Sequence, residues 1–126
     1  MDRFAKAPIT DLLNWQVLPG ESGEATLVWE VDSRLHNPMG RVHGGAISAI
    51  CDAAMGIAFG RSIDEKQDFS TIEMKVSFMR PMTSGTLTVV AKVIQRGLRV
   101  GFVECQVHDQ RKRLIATASC SCTTVS

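Results

Sequence analysis

One short stretch holds residue types that can act together on a carbonyl: His36-Asn37-Pro38-Met39-Gly40-Arg41-Val42-His43-Gly44-Gly45, followed within a helix by Asp52. Paired glycines at a helix start let a backbone N–H approach a ligand closely. Free N–H groups there, at the positive end of the helix dipole, suit a developing oxyanion. Asp52 falls on the Gly45 face of the helix, in apolar surroundings, where a buried carboxylate needs partners or a function. It can serve as a nucleophile or as a general base on water. An oxyanion donor and a carboxylate are the parts of acyl transfer to water. Each residue also has a structural reading: Asp52 bonded to a neighbouring strand, Asn37 as an Asx-turn residue, and His43 holding the loop to the helix through its ring. Cys51, beside Asp52, has nothing to activate it and reads as core.

The elements that must position these residues follow from periodicity. The spacing predicts a long helix from near His43 to about Arg61, with Ile47, Ile50, Ala54 and Ile57 as its core stripe. Gly45, Ser48, Asp52, Gly56 and Phe59 form the opposite stripe, whose small residues leave a cavity beside the carboxylate. Gly45, Ser48, Met55, Gly56 and Phe59 are the expected pocket lining. Before the helix, Thr10 is the expected N-cap of a short helix with Asp11 in its first turn. Trp15 to Leu18 and Ala25 to Val31 read as strands joined by Pro19-Gly20-Glu21-Ser22-Gly23, and Asp32 to Arg41 as a loop. After it, Ile72, Met74, Val76 and Phe78 alternate with Thr71, Glu73, Lys75 and Ser77, the period-2 pattern of a half-buried antiparallel strand. Three more strands follow: Leu87 to Val93, Val100 to Asp109, and Leu114 to Val125. On the last, Leu114, Ala116, Ala118, Cys120 and Cys122 share one face, small enough for a helix to lie close. One long helix wrapped by an antiparallel sheet is the economical α+β architecture.

The 126 residues fit a single domain, 1–126. Lys plus Arg number 14 and Asp plus Glu 13, a net charge of +1, which argues against nucleic-acid or membrane-surface partners. With 44% hydrophobic and 21% charged residues the chain is not disordered. Val42 to Gly60 lacks Lys and Arg, but a carboxylate at mid-bilayer costs at least ~2.5 kcal/mol, so this stretch reads as a buried helix. Met1-Asp2-Arg3-Phe4-Ala5-Lys6 leads into no apolar export segment. The expected location is therefore cytoplasmic, with Cys51, Cys105, Cys120 and Cys122 as reduced, small hydrophobes. No metal or other cofactor is expected.

The run resembles the hotdog-fold acyl-CoA thioesterases, in particular the phenylacetate-pathway (PaaI-like) group. That group's pattern is H-x-N or H-N, a glycine, then H-G-G and an acidic residue deep in the central helix. It reads here as His36, Asn37, Gly40, His43-Gly44-Gly45 and Asp52, and the likeness extends over nearly the whole chain, including Phe78-Met79-Arg80-Pro81. The resemblance implies an α+β hotdog fold and hydrolysis of acyl-CoA thioesters, with Asp52 as catalytic carboxylate. Gly44 N–H would polarise the thioester carbonyl, Asn37 would orient the water or the thioester, and the Thr71 hydroxyl would assist. It also implies a homodimer or a homotetramer (a dimer of dimers). Active sites would lie between subunits, Asn37 and Gly44 from one chain and Asp52 and Thr71 from the other. Arg80 and the Arg96-Gly97-Leu98-Arg99 hairpin lie where the family grips CoA, and cationic side chains there suit its phosphates. Together with His43, Gly45, Ser48 and Met55 they make up the expected substrate-binding set, for an aryl or medium-chain acyl group. The chain departs from many relatives in having His36 and Asn37 adjacent and followed by Pro38, so His36 is given no catalytic role. Asp rather than Glu at position 52 fits this group.

Two other readings compete. A hotdog dehydratase or hydratase pairs its acid with a nearby histidine, yet the first histidine after Asp52 is His108. A non-catalytic acyl-CoA-binding hotdog protein would be marked by loss of the Asp or the Gly-Gly pair, and both are present.

Overall fold

The computed structural model describes residues 3–4 and 6–125, so Met1, Asp2 and Ala5 of the amino-terminal stretch lie outside the described residues. A short helix α1 (Pro8–Leu13) leads into β1 (Trp15–Val17) and β2 (Glu24–Val31). A loop with one 3-10 turn (Ser33–Leu35) leads to the long helix α2 (Gly44–Gly60). Four strands follow: β3 (Asp68–Phe78), β4 (Gly85–Arg96), β5 (Val100–Asp109) and β6 (Leu114–Val125). Among the described residues the six strands form one antiparallel sheet in the order β1-β2-β4-β5-β6-β3, wrapped around α2. This is the expected α+β hotdog arrangement. No helix among the described residues is long and apolar enough to cross a membrane; within Val42 to Gly60 the helix is Gly44–Gly60, with most of its length in the core and one stripe exposed.

α1 starts earlier than expected. Pro8, with its fixed φ and missing N–H, occupies the first turn, where both are tolerated. Ala7 is therefore the N-cap, and Thr10 is buried inside the helix instead of capping it.

The core lies between α2 and the inner face of the sheet. Ile47, Ile50, Ala54 and Ile57 are buried as expected, against Leu27, Trp29, Leu87, Val89, Val103 and Val107. The buried face of the helix is wider than one stripe, because the sheet curls round it. Met55 and Phe59 have 0% exposure, so both belong to the core and neither has surface left to line a pocket, contrary to expectation. Fully burying a side chain of this size stabilises by roughly 1.5–3 kcal/mol. Phe59 also explains Gly101: a Cβ there would lie 2.6 Å from Phe59 Cε1, so only glycine lets β5 pass. On β6, Ala116, Ala118, Cys120 and Cys122 face the helix, as their alternation predicts.

β3 departs from simple alternation. Thr71 pairs with Cys122 but Glu73 pairs with Ser121, so Ile72 is an extra residue in a β-bulge. The bulge resets the alternation. Met74 and Val76 are half-buried on the helix side, as expected, but Thr71 and Phe69 share that side while Ile72 is 55% exposed. β3 is also an edge strand, paired within the chain only to β6, and Phe78 at its end is 54% exposed.

Candidate active site

The loop before α2 is fastened at several points. His36 Nε2 donates to the Thr83 carbonyl over 2.7 Å, Val42 N–H to Met82 O over 2.8 Å, and His43 N–H to Leu35 O over 2.8 Å. Asn37 Oδ1 accepts from the N–H of Met39 (2.9 Å) and of Arg41 (3.2 Å), the Asx-turn geometry, with Gly40 at φ +78° completing the turn. The carboxamide oxygen is thus engaged in the loop, and the group Asn37 can still offer a ligand is its NH2, a donor.

His43 is the N-cap of α2, in extended conformation, and its Nδ1 accepts the Gly45 N–H over 2.8 Å. The ring proton is therefore on Nε2. Ser48 Oγ donates back to Gly44 O over 2.8 Å. Among the described residues, the Gly44 N–H is left without an acceptor at the positive end of the helix. It borders a cavity of about 300 Å³ that Asn37, Phe78 and Arg80 also line. The Phe78 ring lies over Gly44, where a Cβ would come within 3.1 Å of Phe78 Cζ.

Asp52 is elsewhere. About 12 Å of helix separates it from Gly44, at roughly 1.5 Å of rise per residue. It is exposed rather than buried in apolar surroundings, because the sheet of its own chain leaves this stripe of α2 uncovered. Gly45 is exposed on the same stripe, and Ser48 and Gly56 are partly so. Thr71 Oγ1 donates to Asp52 Oδ1 over 3.0 Å. Behind Thr71 stands a residue that the sequence places in the core and not in the site: Cys122 Sγ is 3.9 Å from Thr71 Oγ1, with Cys120 Sγ 3.7 Å beyond it. The hydrogen bond to Cys122 and burial push the Cys120 thiol up. The same bond, and after it Thr71, draw Cys122 down against its burial. Only the face-sharing of Cys120 and Cys122 signalled this in the sequence, and it read as core.

The chain therefore brings the expected residues together in two separate pairs, Gly44 with Asn37 and Asp52 with Thr71. Arg80 joins the first. Arg96, Gly97 and Arg99 join neither, because their hairpin lies at the far end of α2. Arg96 donates to Ser62 O over 2.8 Å and stacks over the Phe59 ring at 5.6 Å. A larger cavity, about 700 Å³, crosses the outer face of the sheet between Lys75, Lys92, Glu104 and His108, and none of the expected site residues lines it.

Comparison with known proteins bears on this geometry. Residues 39–116 match the model of the thioesterase superfamily. The chain is 33% identical over 98 residues to a protein of Saccharolobus solfataricus named "putative esterase SSO1253", covering 78% of this chain and 65% of that protein. It is 22% identical over 113 residues to the 1,4-dihydroxy-2-naphthoyl-CoA hydrolase of Listeria monocytogenes, covering 90% of this chain and 92% of that one. Its fold matches that of the E. coli PaaI protein, from the phenylacetic acid degradation operon, with a TM-score of 0.89 at 19% identity, over 96% and 86% of the two chains.

Proposed function

The chain belongs to the thioesterase superfamily, and from that premise we propose that it hydrolyses acyl-CoA thioesters to free acid and CoA at a site completed by a second copy of itself. The observation that carries this is the separation of the two pairs: a free Gly44 N–H beside Asn37, and Asp52 bonded to Thr71 about 12 Å farther along the helix. Neither half can act alone. The unpaired edge of β3 offers the means of joining them. Pairing two β3 strands antiparallel about a two-fold near their middle sets the Phe78 end of one beside the Thr71 end of the other. Gly44, under Phe78, then faces the partner's Asp52. The relative named as a CoA-thioester hydrolase supports this substrate class.

In the joined site the thioester carbonyl oxygen sits on the Gly44 N–H, with the Asn37 NH2 as second donor. Water held by Asp52 attacks the carbonyl carbon and its proton passes to the carboxylate. The tetrahedral oxyanion collapses, the C–S bond breaks, and the proton leaves with the CoA thiol. Asp52 acting as nucleophile instead would give an anhydride that water then opens. General-base help is worth about 10²–10⁴ in rate and one oxyanion donor about 10²–10³. The uncovered stripe of Gly45, Ser48 and Gly56 leaves room for an aryl or medium-chain acyl group.

The test is free-thiol release from short, medium, long and aromatic acyl-CoAs, with Asp52→Asn beside the wild type. We expect at least ~10² loss of kcat in the variant, with fold and oligomer unchanged, since Asp52 is on the surface of its own chain. Full turnover in Asp52→Asn would remove the carboxylate from the mechanism.

A further inference from the structure

We propose that a cleft at the β5–β6 hairpin, lined by Arg41, Arg111 and Arg113, receives the phosphates at the nucleotide end of the CoA substrate; this rests on the thioester-hydrolase reading above. The cleft encloses about 250 Å³ and is walled on its other side by Pro81, Met82 and Thr83. Arg41, Pro81 and Met82 also line the cavity at Gly44, so the two spaces adjoin across these residues. An elongated ligand with its carbonyl at Gly44 reaches the arginines by running along Pro81 and Met82.

The charge of the cleft is unlike that of the chain. Overall the net charge is +1, yet the cleft gathers three guanidinium groups and one carboxylate. That carboxylate, Asp109, is buried and already engaged. It accepts the N–H of Arg111 and of Arg113, each over 2.9 Å, and Arg113 Nε over 2.7 Å. These bonds fix the hairpin tip and neutralise Arg113. Arg41 and Arg111 have no carboxylate within ion-pair distance among the described residues, leaving two planar cations at the mouth of the cleft. Guanidinium groups bind phosphate through paired N–H bonds, and a phosphate-rich tail is the part of a CoA thioester that needs them. Arg96, on the other hairpin, is instead held by Ser62 O and the Phe59 ring.

Calorimetric binding of CoA, 3′-dephospho-CoA and pantetheine to wild type and to Arg41→Ala/Arg111→Ala tests this without turnover. Both side chains project from loops whose backbone bonds the substitutions keep, and an unchanged thermal midpoint will confirm the fold. The double variant should weaken CoA roughly ten-fold or more and leave pantetheine unchanged, with Arg→Lys at both sites recovering part of the loss. Equal weakening of pantetheine, or none of CoA, overturns the proposal, as does a loss seen only in Arg96→Ala or Arg99→Ala. A rise in KM confined to substrate carried on an acidic carrier protein overturns it too, since the patch would then face that protein. Arginine-dependent CoA binding without hydrolysis of any acyl-CoA would leave the cleft standing and remove the thioesterase reading. Hydrolysis with an arginine-insensitive KM would do the reverse.

Discussion

Thr71 Oγ1 donates to Asp52 Oδ1 over 3.0 Å because a β-bulge at Ile72 turns Thr71 toward the helix. Among the described residues the carboxylate is held by one hydroxyl on one oxygen, and its side chain is exposed to water. The hydroxyl is in turn backed by the Cys122 thiol at 3.9 Å. A hydrogen bond to a charged group is worth about 1.5–3 kcal/mol, so Thr71→Val should lower kcat about ten-fold or more. Val is β-branched and suits a strand, so any stability cost should not exceed that of the lost hydrogen bond. Steady-state kinetics beside Thr71→Ser, which restores the donor, checks this. Equal rates in the Val and Ser variants would reduce Thr71 to a strand residue.

The hairpin tip makes a prediction about acid. Burial pushes Asp109 up, but the backbone N–H and guanidinium of Arg113 and the N–H of Arg111 outweigh it and hold the carboxyl below its ordinary value. With its folded value depressed, the group binds fewer protons folded than unfolded in the window between the two. Its stabilisation is complete above the ordinary carboxylate range and is lost as pH falls through the folded value. Urea midpoints between about pH 5 and pH 3 should therefore fall more steeply in wild type than in Asp109→Asn, which should be the less stable protein at neutral pH. Parallel slopes would show that other carboxylates carry the acid response.

How far the sequence could be read depends on what each feature answers to. The strands from β4 onward follow their alternation because each has one face on the helix. The run from His36 to Gly45, with Asp52 beyond it, stands out because its residue types serve chemistry more readily than packing. The bulge did not stand out: Ser-Thr-Ile-Glu-Met alternates without a break, and the extra residue answers to how β3 must fit β6. Helical periodicity puts Met55 and Phe59 on a pocket face only if the helix is covered on one side, whereas the sheet covers α2 on more than one side. The apolar helix context predicts a buried Asp52; in the single chain its stripe of the helix faces outward, where the proposed second copy would cover it.

His43 separates a structural part from a chemical one. Its Nδ1 caps α2 by accepting the Gly45 N–H. Loss of an N-cap costs about 0.5–2 kcal/mol, so His43→Ala should lower stability by about that much and His43→Ser should recover most of it. Urea denaturation of the three proteins reads this directly. If His43→Ser regained stability yet lost ~10² in kcat, the imidazole would have to be counted in the chemistry.

Gly44 allows the oxyanion donor to be removed almost alone. It is the first residue of α2, where proline is tolerated, and His43 before it has φ −61° and ψ 134°, the conformation that proline requires of its neighbour. The new Cβ would meet Phe78 Cζ at 3.1 Å, and that ring, 54% exposed, can give way. Gly44→Ala adds the same carbon and keeps the N–H. The Ala variant should stay within a few-fold of wild type, and Gly44→Pro should lose about 10²–10³ in kcat with the helix intact. Mixing then tests the shared site. In a heterodimer of Gly44→Pro and Asp52→Asn chains, one site carries both changes and the other carries neither. Unfolding, mixing and refolding the two inactive proteins in equal amounts should therefore restore about a quarter of wild-type sites. Recovery near that level is what a site built from two chains requires. No recovery, with heterodimers present by mass spectrometry, would mean that each chain works on its own Gly44 and Asp52, which the distance along the helix between them opposes.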